Sequence, residues 1–247
     1  MLAALLALVA AVPFFGLIDL GTVVGLADPA YRWNVPLEAS WGALFTFFLA
    51  APCVRIAWAE RPGPACLQLL VTAAALAVAA VAGGEARLLL LAVAVVAWAV
   101  LLILLDPRVS PGWRPTGAPD GPSLLLAVSG LAIWLPYALS AFARSRDGAD
   151  ADEVTVGIGH WPVQGALGVA LVLAAVALAV RRPLRLLRVT VVLSGALLGA
   201  TALAYPDRLG ATEGPVWAVV ALAWAATVAL VPLRGAVRAR VLDEPST

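Results

Sequence analysis

The sequence contains no lysine, one histidine and two cysteines, and only 13% of its residues are charged. The absence of lysine excludes Schiff-base chemistry on a lysine side chain. A single histidine excludes a bis-histidine haem site and a histidine-rich zinc site. Cys53 and Cys66 have no metal-binding spacing, and no G-x-S-x-G, H-E-x-x-H or P-loop motif occurs. The sequence therefore assigns no catalytic residue, no metal ligand and no cofactor.

Apolar residues are what the chain has in abundance. They make up 63% of its 247 residues, and the mean hydropathy is +0.98. A soluble domain has about 45–50% apolar and about 25% charged residues. Apolar runs of about 18 residues or more recur along the chain, and each is long enough to cross a hydrocarbon core. The composition predicts an all-α polytopic membrane protein whose partners are membrane lipids, and a net charge of +1 predicts no nucleic-acid partner.

Proline, glycine and charged residues divide the chain into eight predicted transmembrane helices. The N-terminal run lacks the basic residues that precede the apolar core of a signal peptide, so we expect an uncleaved first span. The predicted spans cover residues 2–24, 38–58, 64–83, 86–105, 122–143, 161–180, 185–205 and 214–234. The division at Gly83 and Gly84 leaves two interpretations open, namely two full spans or one re-entrant pair.

The arginines are distributed unevenly between the predicted loops. With both termini in the cytoplasm, eleven of the sixteen arginines lie on the cytoplasmic side, as the positive-inside rule requires. The sequence therefore predicts a multi-pass protein of the plasma membrane with cytoplasmic N and C termini. Both cysteines then lie near the cytoplasmic face, where thiols stay reduced, and we expect no disulfide.

The second half of the chain resembles the first at an offset of 126 residues. The rare residue types that align are Trp98 with Trp224, Arg55 with Arg181, Arg108 with Arg234, and Pro36 with Pro162. We therefore expect a 4+4 parallel tandem repeat, with a pseudo-two-fold axis along the membrane normal. The predicted divisions are a first repeat at 1–108, a cytoplasmic linker at 109–121, a second repeat at 122–234 and a cytoplasmic tail at 235–247.

One carboxylate, Asp19, lies inside a predicted span. It is about 17 residues into the first span, roughly 25 Å along the helix, and so in the outer leaflet. A charged carboxylate at the centre of a transmembrane helix costs about 2.5–3.5 kcal/mol, and such residues usually face a cavity or a partner. An acid near a helix end can instead reach the water at the head groups. The first interpretation predicts a ligand pocket at Asp19, and the second predicts no function.

Other polar and aromatic residues are predicted at the same depth. At the offset of 126 residues Glu38 aligns with the neutral Gln164. Near the start of each half the offset is 123 residues, which aligns Pro13 with Pro136 and Asp19 with Phe142, so the acids belong to the first half. A lone histidine beside a tryptophan is more often a hydrogen-bonded structural group than a general acid or base. The predicted ligand-binding residues are Asp19, Asp28, Glu38, Trp41, His160 and Gln164.

Four short motifs follow each other at the start of the chain: "PFFGLIDL", "ADPAYRW", "VPLEASWGALF" and "LAAPCVRIAW". In this order they resemble the EXPERA family of four-span membrane modules, some members of which carry two modules in tandem. The resemblance covers residues 5–58. It implies a pocket for a sterol-like ligand, faced by Asp19 and Asp28.

Three functions fit these observations. The first is a protein that binds or handles an apolar or amphiphilic molecule, such as a lipid, an isoprenoid or a sterol-like compound, in a pocket open toward the outer leaflet. The second is a transporter of a small solute or lipid, with its path along the pseudo-two-fold axis. The third is a structural or accessory membrane subunit without a ligand site, which the abundance of alanine and glycine permits by allowing close helix packing.

Overall fold

The computed structural model describes residues 1–21, 33–60, 62, 64–109, 121–148, 154–180, 184–211 and 214–231. These residues are mostly helical, which confirms the prediction of an all-α protein with membrane-type helices. Within them the chain forms ten α-helices, one π-helical segment and one short β-hairpin. Asp28, most of the predicted linker at 109–121 and the predicted tail at 235–247 lie outside the described residues.

The helices follow one another with short connections. Ala43–Ala50 is the π-helical segment that joins α3 to α4, so Val35–Trp58 is one continuous helix. The elements are α1 (Leu2–Ala11), α2 (Gly16–Gly21), α3 (Val35–Gly42), α4 (Ala51–Trp58), α5 (Ala65–Gly83), α6 (Ala86–Leu105), α7 (Gly121–Asp147), β1 (Val154–Thr155), β2 (Ile158–Gly159), α8 (His160–Val180), α9 (Arg185–Ala204) and α10 (Gly214–Leu230).

Six helices are long and apolar enough to cross a membrane by length and composition: Val35–Trp58 and α5 to α9. α1 and α10 are apolar but shorter, so the count of eight spans stays a prediction. In the most apolar stretch of Val35–Trp58, 78% of the residues are buried, against 28% in α6. The Val35–Trp58 helix is therefore central, and α6 presents most of its apolar side chains outward.

The structure resolves the open question at Gly83 and Gly84. α5 ends at Gly83, α6 begins at Ala86, and the two helices have 19 and 20 residues. Gly84 has φ +78°, the left-handed conformation with which glycine commonly ends a helix. Residues 65–105 are therefore two full helices and not one re-entrant pair.

The first predicted span, 2–24, is broken in the structure. α1 ends at Ala11 and α2 begins at Gly16. Pro13 has no N–H with which to continue the helix, and Phe15 has φ +58°, a conformation that side chains other than glycine seldom adopt. The indole Nε1 of Trp41 donates a hydrogen bond to the carbonyl of Phe14 at 2.7 Å. The break is therefore stabilised from α3, which satisfies one of the carbonyls that it exposes.

Two glycines allow α2 to pack closely against the central helix. A Cβ on Gly42 would lie 2.7 Å from the backbone nitrogen of Leu20. A Cβ on Gly16 would lie 2.8 Å from Oγ1 of Thr46. Any larger residue at either position would push α2 away from α3. This close approach sets the position of the side chains that α2 carries.

The π-helical segment has a polar cause. Pro52 cannot donate to the carbonyls one turn before it, and an unsatisfied carbonyl is costly in an apolar environment. Gln68 Nε2 donates to the carbonyl of Phe47 at 2.7 Å, and Thr190 Oγ1 donates to the same carbonyl at 3.2 Å. Side chains from α5 and α9 therefore replace the missing backbone donor and attach both helices to the central one.

The helices pack mainly against their neighbours in the chain and against the centre of the bundle. α5 packs against α6, and α9 packs against α10. α5 also packs against α8, while α9 packs against α3 and the π-helical segment. α3 and α8 meet at the centre. The start of α3 and the start of α8 are consequently neighbours, and the polar residues of the site lie there.

Candidate functional site

Three titratable side chains from distant parts of the chain meet at one end of the bundle. Asp19 lies on α2, Glu38 lies in the first turn of α3, and His160 is the first residue of α8. One ligand atom from each of the three lies within 4.8 Å of the others. Their exposed fractions are 4%, 4% and 1%. We call these residues the Asp19–Glu38–His160 cluster.

The break in the first span positions Asp19. Its backbone N–H donates to the carbonyl of Phe15 at 2.8 Å, which starts α2 directly after the left-handed residue. Gly16 and Asp19 are the buried residues of α2, whereas Leu17 and Ile18 are exposed. The buried face is the one that packs against α3. Asp19 therefore faces the protein, as the pocket interpretation predicts.

Glu38 lies where a helix favours a negative charge. α3 begins after Asn34, and Pro36 occupies its first turn, where a missing N–H costs nothing. The N–H groups of a first helical turn and the helix dipole stabilise a carboxylate at this position. Glu38 and Gln164 are both buried, so both side chains face the protein.

Two side chains orient the imidazole of His160. Trp41 stacks on it, with ring centroids 4.6 Å apart and an angle of 26° between the planes. Oγ1 of Thr155 lies 2.9 Å from Nε2 of His160, within hydrogen-bonding distance. With Nε2 donating to this hydroxyl, Nδ1 is the nitrogen that carries the lone pair. The ring is therefore held between α3 and the β-hairpin.

The β-hairpin covers one side of the cluster. Val154 pairs with Gly159 and Thr155 with Ile158, so the turn consists of two residues. Val156 has φ +48° and Gly157 has φ +81°, as a type I′ hairpin turn requires. A β-branched residue with positive φ is uncommon, and such strain is found most often at functional sites.

A cavity of about 470 Å³ lies beside the cluster. Asp19, Glu38 and Thr155 supply its polar part. Its apolar part is exposed at the surface and comes from the start of α2, from the segment just before α3 and from the hairpin: Phe15, Ile18, Trp33, Val154 and Val156. The cavity thus combines a buried acidic floor with an apolar rim, a combination suited to an amphiphile with a positively charged or hydrogen-donating head.

The residues that the repeat prediction aligns with Asp19 and Glu38 make other contacts. The repeat alignment pairs Asp19 with Phe142, and the ring of Phe142 packs directly on Gly165, where a Cβ would lie 2.1 Å from Cε1. Gln164, the counterpart of Glu38, donates from Nε2 to the carbonyl of Gly210 at 3.1 Å. Among the described residues, the two aligned positions thus hold an aromatic ring and a structural amide in place of carboxylates.

The structure sorts the predicted site residues into three groups. Asp19, Glu38, Trp41 and His160 come together. Gln164 is buried nearby, but it bonds to the loop before α10, and it is not among the described residues that line the cavity. Asp28 lies outside the described residues.

Sequence reasoning missed the hairpin and its residue Thr155. The segment "VTVGIG" carries a signal for it, because β-branched residues flank a turn that contains glycine. Sequence reasoning also considered no set of metal ligands drawn from three separate segments. No protein-family model matches the chain, and no curated protein or solved structure is significantly similar to it.

Proposed function

We propose that this chain is a multi-pass membrane protein that binds an amphiphilic molecule, such as a lipid, an isoprenoid or a sterol-like compound. The observation that carries the proposal is the pair of buried carboxylates, Asp19 and Glu38, on the floor of a cavity with an apolar rim. The head group of the ligand meets the carboxylates, and its apolar body lies along Phe15, Trp33 and the hairpin. The resemblance to the EXPERA family points to the same class of ligand.

The charge of the cluster favours a cationic head. Two ionised carboxylates within 4.8 Å repel each other, and the low dielectric of the interior strengthens that repulsion. Buried charges are stable when they are paired, so a primary amine at the head of an apolar chain relieves the repulsion while its tail stays in an apolar environment.

We also propose the eight-span, tandem-repeat topology with cytoplasmic termini and the cavity on the outer side. At the 126-residue offset Pro36 is equivalent to Pro162, and Gly84 to Gly210. A Cβ on Gly210 would lie 3.0 Å from Cβ of Pro36, and one on Gly83 would lie 2.9 Å from Cβ of Pro162. The loop after the third helix of each half thus packs on the proline of the other half. These two reciprocal contacts support a pseudo-two-fold axis between α3 and α8.

The aligned tryptophans support the same topology. Trp224 on α10 donates from Nε1 to the carbonyl of Leu126 on α7 at 3.1 Å. Trp98 on α6 lines a small cavity together with Leu6 and Phe14, beside α1. In each half the tryptophan of the last helix therefore faces the first helix. A reporter that is active only in the cytoplasm should work when fused to the C terminus and fail when inserted at Gly148.

The binding proposal is tested with a long-chain primary amine and the alcohol of the same chain length, using protein in lipid nanodiscs. Wild-type protein should bind the amine more tightly than the alcohol. Asp19→Asn should weaken amine binding at least tenfold while the melting temperature stays within a few degrees, because the side chain keeps its size. Ile18→Trp, which fills the apolar rim, should weaken the binding of both probes.

The matched control for the rim is Leu104→Trp, an exposed leucine on α6 that is remote from the cavity. It should bind both probes like the wild type. If Asp19→Asn and Ile18→Trp both bind like the wild type, the cavity is not the binding site. If the wild type itself binds neither probe, the accessory-subunit interpretation replaces this proposal.

A transporter is the second candidate, and one observation favours it. The first span breaks beside a buried carboxylate, as the discontinuous helices of transporters do. A second cavity, of about 490 Å³, lies at the opposite end of the central helix between Arg55, Gln68 and Arg185. In a transporter, single cysteines at Ile18 and Leu67 should change their reactivity toward an impermeant thiol reagent in opposite directions when the long-chain amine is added. In a binding protein only the cysteine at Ile18 should respond.

A further inference from the structure

We infer that the Asp19–Glu38–His160 cluster is a binding site for a divalent metal ion, which competes with a cationic head group for the two carboxylates. The inference shares its residues with the proposed function and rests on it only for the competition. It goes further in naming an inorganic occupant and a way of regulating the site. The metal is of the class bound by oxygen and nitrogen ligands, such as Zn²⁺ or Mn²⁺.

The distances in the cluster fit a single ion. Zinc binds imidazole nitrogen and carboxylate oxygen tetrahedrally at about 2.0–2.2 Å, so two ligand atoms of one ion lie about 3.3–3.6 Å apart. The three ligand atoms here lie within 4.8 Å of one another. Rotations of the three side chains that bring these atoms closer by up to about 1.5 Å close the site around one ion.

The surroundings of the imidazole provide a second, independent observation. Histidines that bind metals usually hydrogen-bond through their other ring nitrogen, which fixes the tautomer and the ring orientation. Thr155 Oγ1 lies 2.9 Å from Nε2 of His160, and Trp41 stacks on the ring face. The chain thus holds the imidazole in a fixed orientation before a metal binds.

The ligand set also has the charge and coordination number of a reactive metal site. Two carboxylates and one neutral imidazole carry a charge of −2, which a divalent ion neutralises. Three protein ligands leave coordination positions for water or another ligand, as in catalytic zinc sites and unlike closed structural ones. Asp19 and Glu38 line the cavity, so the remaining positions face the space that an amphiphile would enter. The hard oxygen ligands disfavour Cu(I).

The test uses the full-length protein in nanodiscs, freed of metal with a chelator and then titrated with ZnCl₂ or MnCl₂. We expect one Zn²⁺ per chain after dialysis, measured by elemental mass spectrometry, and a higher melting temperature. Glu38→Gln and His160→Asn should each weaken Zn²⁺ binding at least tenfold. Glu38→Gln keeps the size of the side chain, so this variant should fold even if the His160→Asn variant does not. Substituting Co²⁺ should give visible absorption bands that His160→Asn alters.

The matched control is Asp106→Asn, which removes a carboxylate at the far end of α6 and should bind Zn²⁺ like the wild type. Less than one Zn²⁺ per wild-type chain, or equal binding by Glu38→Gln and the wild type, overturns the metal site. Zn²⁺ should displace the long-chain amine from the wild type. Amine binding without Zn²⁺ binding overturns this inference and supports the proposed function. Zn²⁺ binding without amine binding supports this inference and overturns the proposed function.

Discussion

The indole ring of Trp41 stacks on the imidazole ring of His160, with centroids 4.6 Å apart. The same indole donates its N–H to the carbonyl of Phe14 at the break between α1 and α2. One side chain on the central helix therefore orients the histidine of the second half and supports the backbone that presents Asp19. The positions of Asp19 and His160 thus depend on shared contacts of Trp41, and a change at Trp41 affects both.

Trp41→Phe keeps an aromatic ring beside His160 but removes the hydrogen bond to Phe14. Because the carbonyl at the break then loses a buried partner, we expect a loss of about 1–3 kcal/mol in the free energy of unfolding. The melting temperature in detergent and the affinity for the long-chain amine should both fall. Trp98→Phe is the control, since within the described residues the Trp98 N–H has no hydrogen-bond partner. Equal losses in the two variants would contradict the role given to the Trp41 hydrogen bond.

Gly165→Ala tests the close contact between α8 and the ring of Phe142, the residue that the repeat prediction aligns with Asp19. The added methyl group overlaps the ring of Phe142, and such overpacking costs about 1–3 kcal/mol. In a Phe142→Leu background the same change should cost less, with a coupling energy of about 0.5–3 kcal/mol in the double-mutant cycle. Gly121→Ala, which meets no atom within 4 Å, is the control. Additive effects of the two substitutions would show that the ring does not occupy this position.

Arg188 attaches the start of α9 to the end of α10. Its guanidinium donates to the carbonyls of Val228 at 2.8 Å, Ala229 at 2.7 Å and Val231 at 2.5 Å. Arg188→Gln cannot satisfy all three, and charged hydrogen bonds are worth about 1.5–3 kcal/mol. Amide hydrogen exchange should therefore accelerate in the last turn of α10. Arg185→Gln, one turn away, should leave that exchange unchanged. Faster exchange in both variants would show that the loss of a positive charge, and not the loss of these hydrogen bonds, is the cause.

Asp106 and Arg108 form an ion pair just after α6, with Nη2 and Oδ2 2.6 Å apart. Hydrogen bonds from the side chain and then from the backbone N–H of Arg108 lower the pKa of Asp106 to about 2. A depressed pKa in the folded state means that the pair stabilises the protein above the unfolded value, about 3.9, and that this stabilisation is lost as the pH falls through about 2. Arg108→Gln should return the pKa toward 3.9 in a carbon-detected NMR titration, whereas Arg55→Gln should not change it. An unchanged value in Arg108→Gln would exclude the pair as the cause.

Much of the helical architecture could be predicted because its causes are local. An apolar run of a given length forms a helix whose ends are marked by nearby glycine, proline and charge, so α5, α6, α8 and α9 lie close to their predicted spans. The break at Pro13 was harder to predict, since proline is often accommodated within a membrane helix. Pro136 shows this in α7, which continues through it. A proline can end a helix or be accommodated within it. Which of the two occurs depends on whether another group donates a hydrogen bond to the exposed carbonyls, as Trp41 does at Phe14.

The sequence by itself determined the class of the protein and the approximate helices, because hydropathy and helix length depend on neighbouring residues. Only the tertiary structure decided that Asp19, Glu38 and His160 meet, because the three residues come from separate segments. Their approach depends on the close glycine contacts of α2 with the central helix and on the packing of α3 against α8. It also decided that Thr155 joins them and that Gln164 bonds elsewhere. Hydrogen bonds between distant segments leave no periodic pattern in the sequence, so these contacts could not be predicted from it. Single residues could be proposed for a site, but the chemistry of that site depends on how the helices pack.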